Sequence, residues 1–460
     1  MSSEIDLLTA KFLATEPEHI EFYTELAAGF REGYLYVERT EPLLASPYII
    51  QRDGRVYFKR AYDLLVELQR LYQCHCRDLP PAFVCTERLA ELLPEQQKAV
   101  EQAAKHRLWC IWGGPGTGKT YTAGWFVKLY VENNPDARIV LTAPTGKAAF
   151  NLHESIKRAC PGSCLEAKTL HALLGLKRTA AWQKTEPLPY DLIVVDESSM
   201  IDLSMFVKLL SSLSNETRIL FLGDPNQLPP IEPGEPFVAL VNEKVGSGLV
   251  TPKRQESDTI IQLANAVKEA DVEKAMGLVE LKPLTAFKDV KQLYSTANQT
   301  IESFFAELLT KRVLSPQRIG PYGTIALNQE LRASAKAQTL IPIIITKNDY
   351  TLGLTNGQVG ILSGDYAYFD GQKTIPQLLL ASYEQAYALS VHKSQGSEFG
   401  EVHLLLPPGS EQFGRNMLYT AITRAKKKLT IYSSLDTLAA CITTPSRSCT
   451  THLRINAATE

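Results

Sequence analysis

Leu108-Trp-Cys-Ile-Trp-Gly-Gly-Pro-Gly-Thr-Gly-Lys-Thr120 joins an apolar run to a glycine-rich loop and then to a stretch with helical spacing. A short continuous apolar run that enters a loop and a helix reads as a buried strand of a parallel sheet. The loop Gly113-Gly114-Pro115-Gly116-Thr117-Gly118-Lys119-Thr120 satisfies G-x-x-x-x-G-K-[ST], in the strand-to-helix context that pattern requires. Its glycines let backbone amides approach phosphates at a helix N-terminus. Lys119 can reach the β and γ oxygens, and Thr120 can offer its hydroxyl to Mg²⁺. These eight residues are the candidate nucleotide site, with ATP and Mg²⁺ the expected ligands.

Working outward, Arg138-Ile-Val-Leu-Thr, Leu192-Ile-Val-Val and Ile219-Leu-Phe-Leu repeat the buried-strand signature. An α/β domain follows from that alternation of apolar runs and helical stretches. The run at Leu192 ends in Asp196-Glu197. Asp196 is expected to hold the magnesium and Glu197 to polarise the attacking water as general base. Gln227 lies in Gly-Asp-Pro-Asn-Gln-Leu-Pro-Pro230, directly after the next strand. A glutamine there can bond the γ-phosphate and report its loss.

The remaining chain suggests further units. A second α/β domain is indicated by Arg312-Val-Leu-Ser, Ala386-Tyr-Ala-Leu-Ser, Val402-His-Leu-Leu-Leu and Lys428-Leu-Thr-Ile-Tyr. Residues 341 to 380 interrupt it with β-like segments and the turn signals Asn356-Gly357 and Asp370-Gly371. At 460 residues, 45% hydrophobic and 21% charged, the chain has the composition of a globular protein of roughly three or four folding units. Without a long apolar segment or a signal-like start, it reads as cytoplasmic. A net charge of −2 gives no global pull towards nucleic acid. Cys74, His75, Cys76 and Cys85 have the residue types of a zinc site, but their spacing argues against one.

Gly223-Asp-Pro-Asn-Gln-Leu-Pro resembles motif III of superfamily 1 helicases, and the resemblance continues in order along about three quarters of the chain. Pro94-Glu-Gln96-Gln97 resembles the Q motif, which makes Gln96 the expected adenine reader. Ala143-Pro-Thr145-Gly-Lys147-Ala-Ala resembles motif Ia, Thr169-Leu-His171 the next DNA-contacting element, and Lys253-Arg254-Gln255 motif IV. Val391-His392-Lys393-Ser394-Gln-Gly-Ser397-Glu398-Phe resembles motif V, and Tyr419-Thr-Ala-Ile-Thr-Arg424-Ala motif VI. By this resemblance Glu398 joins the nucleotide contacts. Thr145, Lys147, Thr169, His171, His392, Lys393, Ser394 and Ser397 are the expected DNA contacts, short polar or basic groups suited to gripping phosphates without reading bases. Arg254 and Arg424 lie outside the first α/β domain. They can stabilise transition-state charge only if two domains close around ATP.

The spelling Thr145-Gly-Lys-Ala-Ala, the block Leu314-Ser-Pro-Gln-Arg318 and the stretch Ile345-Thr-Lys-Asn348-Asp349 resemble RecD-type helicases, the group that includes the alpha subunit of exonuclease V. The resemblance implies two RecA-like motor domains, 86–235 and 236–340 with 381–442. It also implies a small β-barrel inserted at 341–380, an N-terminal docking domain at 1–85 and a tail at 443–460. It further implies 5′-to-3′ movement on single-stranded DNA, a role in double-strand break repair and recombination, and RecB and RecC as partner subunits. The alternatives are a stand-alone RecD-like helicase and, in a different class, a nucleotide-binding assembly subunit without motor activity. With no acidic metal cluster beyond the one serving ATP, nuclease activity is expected only of a partner. The aromatics of residues 1–85 (Phe22, Tyr23, Phe30, Tyr34, Tyr36, Tyr57, Phe58, Tyr62 and Tyr72) are of a class that suits an interface, although most of them taken individually are expected to fill that domain's own core. On this reading a chain starting near Leu89 keeps its ATP site. The segment Gly175 to Asp191, where the family carries a strand-splitting hairpin, is short.

Overall fold

The computed structural model describes residues 4–14, 20–39, 46–76, 79–83, 89, 91–161, 165–176, 186–251, 258–287, 293–294, 299–334, 340–349, 351–369 and 373–445. Arg254, with Lys253 and Gln255, lies outside them, as do Cys85, Asp370-Gly371 and most of the short hairpin segment.

Six parallel strands form the first sheet, in the order Glu166–Thr169, Ile139–Ala143, Leu192–Val195, Arg218–Gly223, Leu108–Gly113, Ser247–Leu249. Every expected strand of this domain is present. Parallel pairing requires crossovers, so helices cover both faces and the strands are apolar on both sides. Pro94–Lys105, Lys119–Asn133 and Gly146–Ala159 pack on one face around Phe126, Val127 and Ile156. Leu203–Ser211, Pro236–Asn242 and Lys59–His75 pack on the other around Phe206, Phe221 and Phe237.

Two boundaries therefore move. The first domain does not end at 235: the helix Pro236–Asn242 seals its core and the strand Ser247–Leu249 pairs beside the P-loop strand. That pairing is tight, because a Cβ on Gly113 would fall 2.5 Å from the Leu249 carbonyl. Nor do residues 1–85 form a detachable unit. Leu68, Leu71 and Tyr72 of the helix Lys59–His75 are buried in the motor core beside Leu209 and Leu210. His75 Nε2 lies 3.0 Å from the Leu210 carbonyl, which ties the imidazole to the motor domain. Arg107 donates to the carbonyls of Cys74 and Thr217, and Arg218 to those of Pro80, Ala104 and His106.

Ahead of that helix, three antiparallel strands in the order Tyr36–Glu38, Arg55–Phe58, Ile49–Arg52 pack with the helix Ile20–Arg31. Their aromatics are spent internally. Phe22, Tyr23, Tyr57 and Tyr72 are buried, and Phe30 meets Phe58 edge-on at 5.2 Å. Among the described residues this region exposes Ile5, Leu7 and Leu8 on the helix Glu4–Leu13, together with Tyr48.

The second domain holds five parallel strands in the order Glu280–Lys282, Ala425–Tyr432, Phe399–Leu405, Lys311–Ser315, Ala388–Ser390. Between the last two strands of that sheet order, Lys311–Ser315 and Ala388–Ser390, the chain makes an antiparallel sheet, in the order Lys373–Pro376, Tyr366–Phe369, Val359–Ser363, Ile341–Ile345, Tyr383–Gln385. The insertion runs to Gln385 instead of 380, and its strand order is linear, with Lys373–Pro376 and Tyr383–Gln385 at the edges. Its first strand explains the uninterrupted apolar run there. Ile343 and Ile345 enter the small sheet's own core while Ile344 enters that of the second motor domain. No helix among the described residues is long and apolar enough to cross a membrane.

Removing residues 1–88 would strip Leu68, Leu71 and Tyr72 from the motor core, at about 2 kcal/mol or more each, against a total stability of about 5–15 kcal/mol. A chain starting at Leu89 is expected to melt at least about 10 °C lower, or to aggregate. Leu68→Ala in the full chain should cost about 2–5 kcal/mol. An unchanged melting temperature in the shortened chain would show that the helix is not part of the motor core.

Candidate functional site

The P-loop strand delivers its loop to the carboxyl edge of the first sheet, where the neighbouring strands also end. Gly116 and Gly118 have positive φ of 73° and 85°, a left-handed backbone that turns the chain into the helix at Lys119. Thr117 Oγ1 donates to the Gly114 carbonyl at 2.9 Å, and Lys119 Nζ donates to Gly113 O at 2.7 Å and Gly114 O at 3.1 Å. The ammonium is thus curled over the loop that it would leave for phosphate oxygens.

Gln96 is not at the surface as an adenine reader would be. It is fully buried; its Oε1 accepts from Leu93 N at 3.2 Å and its Nε2 donates to Thr117 O at 3.1 Å. Both ends of the amide are used to cap its own helix and to brace the loop from beneath.

Asp196 and Glu197 leave the strand Leu192–Val195 side by side, and Glu197 adopts φ 50°, a conformation that non-glycine residues avoid. The Glu197 amide donates to Asp196 Oδ1 at 2.8 Å. Burial, followed by the adjacent Glu197 charge, pushes the Asp196 carboxyl up to about 7, against the pull of Lys119. Two acids held this close call for a cation. Thr120 lines the same cleft, so hydroxyl and carboxylate together fit Mg²⁺.

That cleft, of about 690 Å³, lies between the domains. Lys119, Thr120, Asp196, Glu197, Asp224 and Gln227 face it from the first domain; Ser397, Glu398 and Arg424 face it from the second. Gln227 lines the cleft and is buried, and among the described residues its Oε1 has no partner, an acceptor that a water could satisfy. Arg424 is buried too, and donates to the Thr420 carbonyl, the Ser397 carbonyl and Thr423 Oγ1. Glu398 pairs with Lys426 at 3.1 Å. Asp224, Tyr419 and Thr420 were missed in the sequence although they stand inside the quoted motifs. Their signal is a contact between distant segments: Tyr419 OH donates to Asp224 Oδ2 at 2.8 Å, and Leu228 N to Thr420 Oγ1 at 2.8 Å.

The expected DNA contacts divide. Thr145 and Thr169 cap their helices by accepting from Ala148 N and Ala172 N, which leaves each hydroxyl proton free to donate to a phosphate oxygen. His171 is exposed and His392 half-buried. Lys393 pairs with Glu384 at 2.7 Å, and the same carboxylate takes Arg318 at 2.9 Å, which places a second cation beside Lys393. Three expectations change. Ser394 is fully buried and donates to the Val391 carbonyl, so it cannot face a groove. Ser397 and Lys147 line the interdomain cleft, because the helix Gly146–Ala159 turns its first residues towards the second domain. Around that helix start all three units meet: a Cβ on Gly146 would strike Thr355 of the inserted sheet, and Asn151 Nδ2 donates to Gly396 O at 3.3 Å.

With this geometry in view, residues 96–233 match the family model described as an AAA domain, and 385–432 that of a UvrD-like helicase C-terminal domain. The RecBCD enzyme subunit RecD of Mycolicibacterium smegmatis is 31% identical over 89% of this chain and 84% of its own length. The ATP-dependent RecD2 DNA helicase of Deinococcus radiodurans is 31% identical over 85% of this chain and 57% of its own length. A Bacteroides Pif1 structure bound to single-stranded DNA is 17% identical, spans 75% of this chain and 93% of that one, and superposes with a TM-score of 0.48. The chain belongs to the RecD family of superfamily 1 helicases and is an ATP-dependent, DNA-binding helicase.

Proposed function

We propose that this helicase is the motor subunit of a RecBCD-type exonuclease V, moving 5′ to 3′ on single-stranded DNA with RecB- and RecC-type partners. The subunit reading is supported by relatives named RecBCD enzyme subunit RecD that match it over 84% and 82% of their own length. The direction of movement rests on the family resemblance.

The observation that carries the motor reading is the interdomain cleft, into which Lys119, Asp196, Glu197, Gln227 and Arg424 all open. In this reading Lys119 exchanges the Gly113 and Gly114 carbonyls for β/γ oxygens. Glu197 takes the proton of the attacking water, and Gln227 Oε1 orients that water. Mg²⁺, held by Thr120 and Asp196, would neutralise phosphate charge. Arg424 and Arg254 serve the transition state from outside the P-loop core, so hydrolysis requires domain closure. Gln96 braces the loop. Thr145, Thr169, His171, His392 and Lys393 grip the DNA backbone, with Arg318 beside them.

Lys119→Gln should abolish ATP hydrolysis at an unchanged melting temperature, since one partly exposed charge is lost and no packing changes. Glu197→Gln should bind ATP normally and lose turnover by about a hundredfold or more. Either variant hydrolysing ATP at the parental rate with single-stranded DNA would overturn the site assignment.

Arg424→Ala should cut turnover by about two orders of magnitude while nucleotide affinity changes far less. The side chain is buried, so a stability loss of about 1–2 kcal/mol should accompany this, and rates are read well below the melting temperature. Equal losses in both quantities would assign Arg424 a simple binding role. Purification from the protein's own cells should bring down two larger chains, one of them a nuclease; recovery of this chain alone would overturn the subunit reading.

A further inference from the structure

We propose that Tyr419 is a positioning residue that couples ATP hydrolysis to the second domain: its phenol, bonded to Asp224, and the adjacent Thr420 hydroxyl grip the Gln227 loop from both sides. The inference rests on the assignment of Gln227 and Arg424 to the hydrolytic site.

Tyr419 and Thr420 are consecutive on the helix Gly414–Ile422 of the second domain, and both are buried. Their hydroxyls cross to the first domain. Tyr419 OH reaches Asp224, three residues before Gln227; Thr420 Oγ1 takes the amide of Leu228, one residue after it. Asp224 is itself buried and shapes the loop, since its Oδ1 accepts from the backbone and side-chain nitrogens of Asn226. The loop cannot shift without breaking a buried bond or carrying the helix with it.

The same hydroxyl stands against the phosphate loop. A Cβ on Gly114 would lie 3.2 Å from Tyr419 OH, and the Gly114 carbonyl is one of the acceptors of Lys119 Nζ. On the other side, Arg424 Nε donates to the Thr420 carbonyl at 3.1 Å. The Gln227 loop and the transition-state arginine are therefore attached to opposite ends of a six-residue span, 419 to 424, that runs from this helix into the turn after it. Burial and the neighbouring Asp224 carboxylate raise the Tyr419 phenol well above its ordinary range, in keeping with its role as donor in this bond.

A phenylalanine would fill the Tyr419 site as well as tyrosine does. What the hydroxyl adds is the bond between domains. When Gln227 responds to the γ-phosphate, Asp224 and Leu228 move with it, and Tyr419 and Thr420 pass that displacement to the second domain. The element that links site to domain is thus a named contact and not proximity alone.

Tyr419→Phe removes the bond and keeps the ring. Turnover in the presence of single-stranded DNA is expected to fall about tenfold or more, with KM for ATP within about threefold of parental. The DNA-free rate should fall much less, so that stimulation shrinks. Thr420→Ser, which keeps the acceptor, should behave like the parent, and Thr420→Val like Tyr419→Phe. Combined with Asp224→Asn, Tyr419→Phe should cost less than the product of the single losses.

Parental stimulation in Tyr419→Phe would overturn the proposal, as would equal falls with and without DNA or strict additivity with Asp224→Asn. If Tyr419→Phe proved unstable, the contrast between Thr420→Ser and Thr420→Val decides the same question. Loss of activity in Lys119→Gln and Arg424→Ala alongside a fully stimulated Tyr419→Phe would reject this coupling and leave the hydrolytic site standing.

Discussion

Parallel pairing of the strand Leu108–Gly113 with Arg218–Gly223 on one side and Ser247–Leu249 on the other is the constraint on which the rest depends. Parallel strands in register end at the same edge. The phosphate loop, the acids after Leu192–Val195 and the Gln227 loop are therefore brought to one line at the carboxyl side of the sheet. Gly113 is part of that constraint, because any side chain there would collide with the Leu249 backbone and force the strands apart.

The cleft so formed is electrostatically unfinished. Asp196 and Glu197 repel one another, Lys119 Nζ donates to the Gly113 and Gly114 carbonyls, and among the described residues Gln227 Oε1 has no partner. An acidic pair next to a lysine and an orphan acceptor has the charge pattern for a metal-bound triphosphate and a water, so substrate supplies what the fold leaves open. The second domain completes the wall with Arg424. Its helix is anchored across the domain boundary by two buried hydroxyls, and Leu228 is buried in the second domain's apolar core beside them.

The N-terminal region bears on the motor in a similar way. One of its helices supplies core residues to the first sheet, and Arg107 and Arg218 of the motor domain donate to the carbonyls of Cys74 and Pro80.

The sequence by itself determined the phosphate loop, the acids that follow a buried strand, the glutamine loop and the order of the helicase motifs. All of these are encoded locally: a glycine pattern sets backbone dihedrals, and an apolar run sets a strand. Only the tertiary structure decided which of those residues face solvent and which meet across domains. Ser394 carries a polar hydroxyl within a DNA-contact motif, yet a neighbouring carbonyl takes its proton inside the core. Gln96 has the residue type of a base reader but is used to hold the loop from below. Ser247–Leu249 is too short and too polar to announce itself as a strand, and its pairing with a segment more than a hundred residues earlier is what makes it one. The partners of Asp224 are likewise distant in sequence, and such pairings depend on burial and register that local composition does not carry.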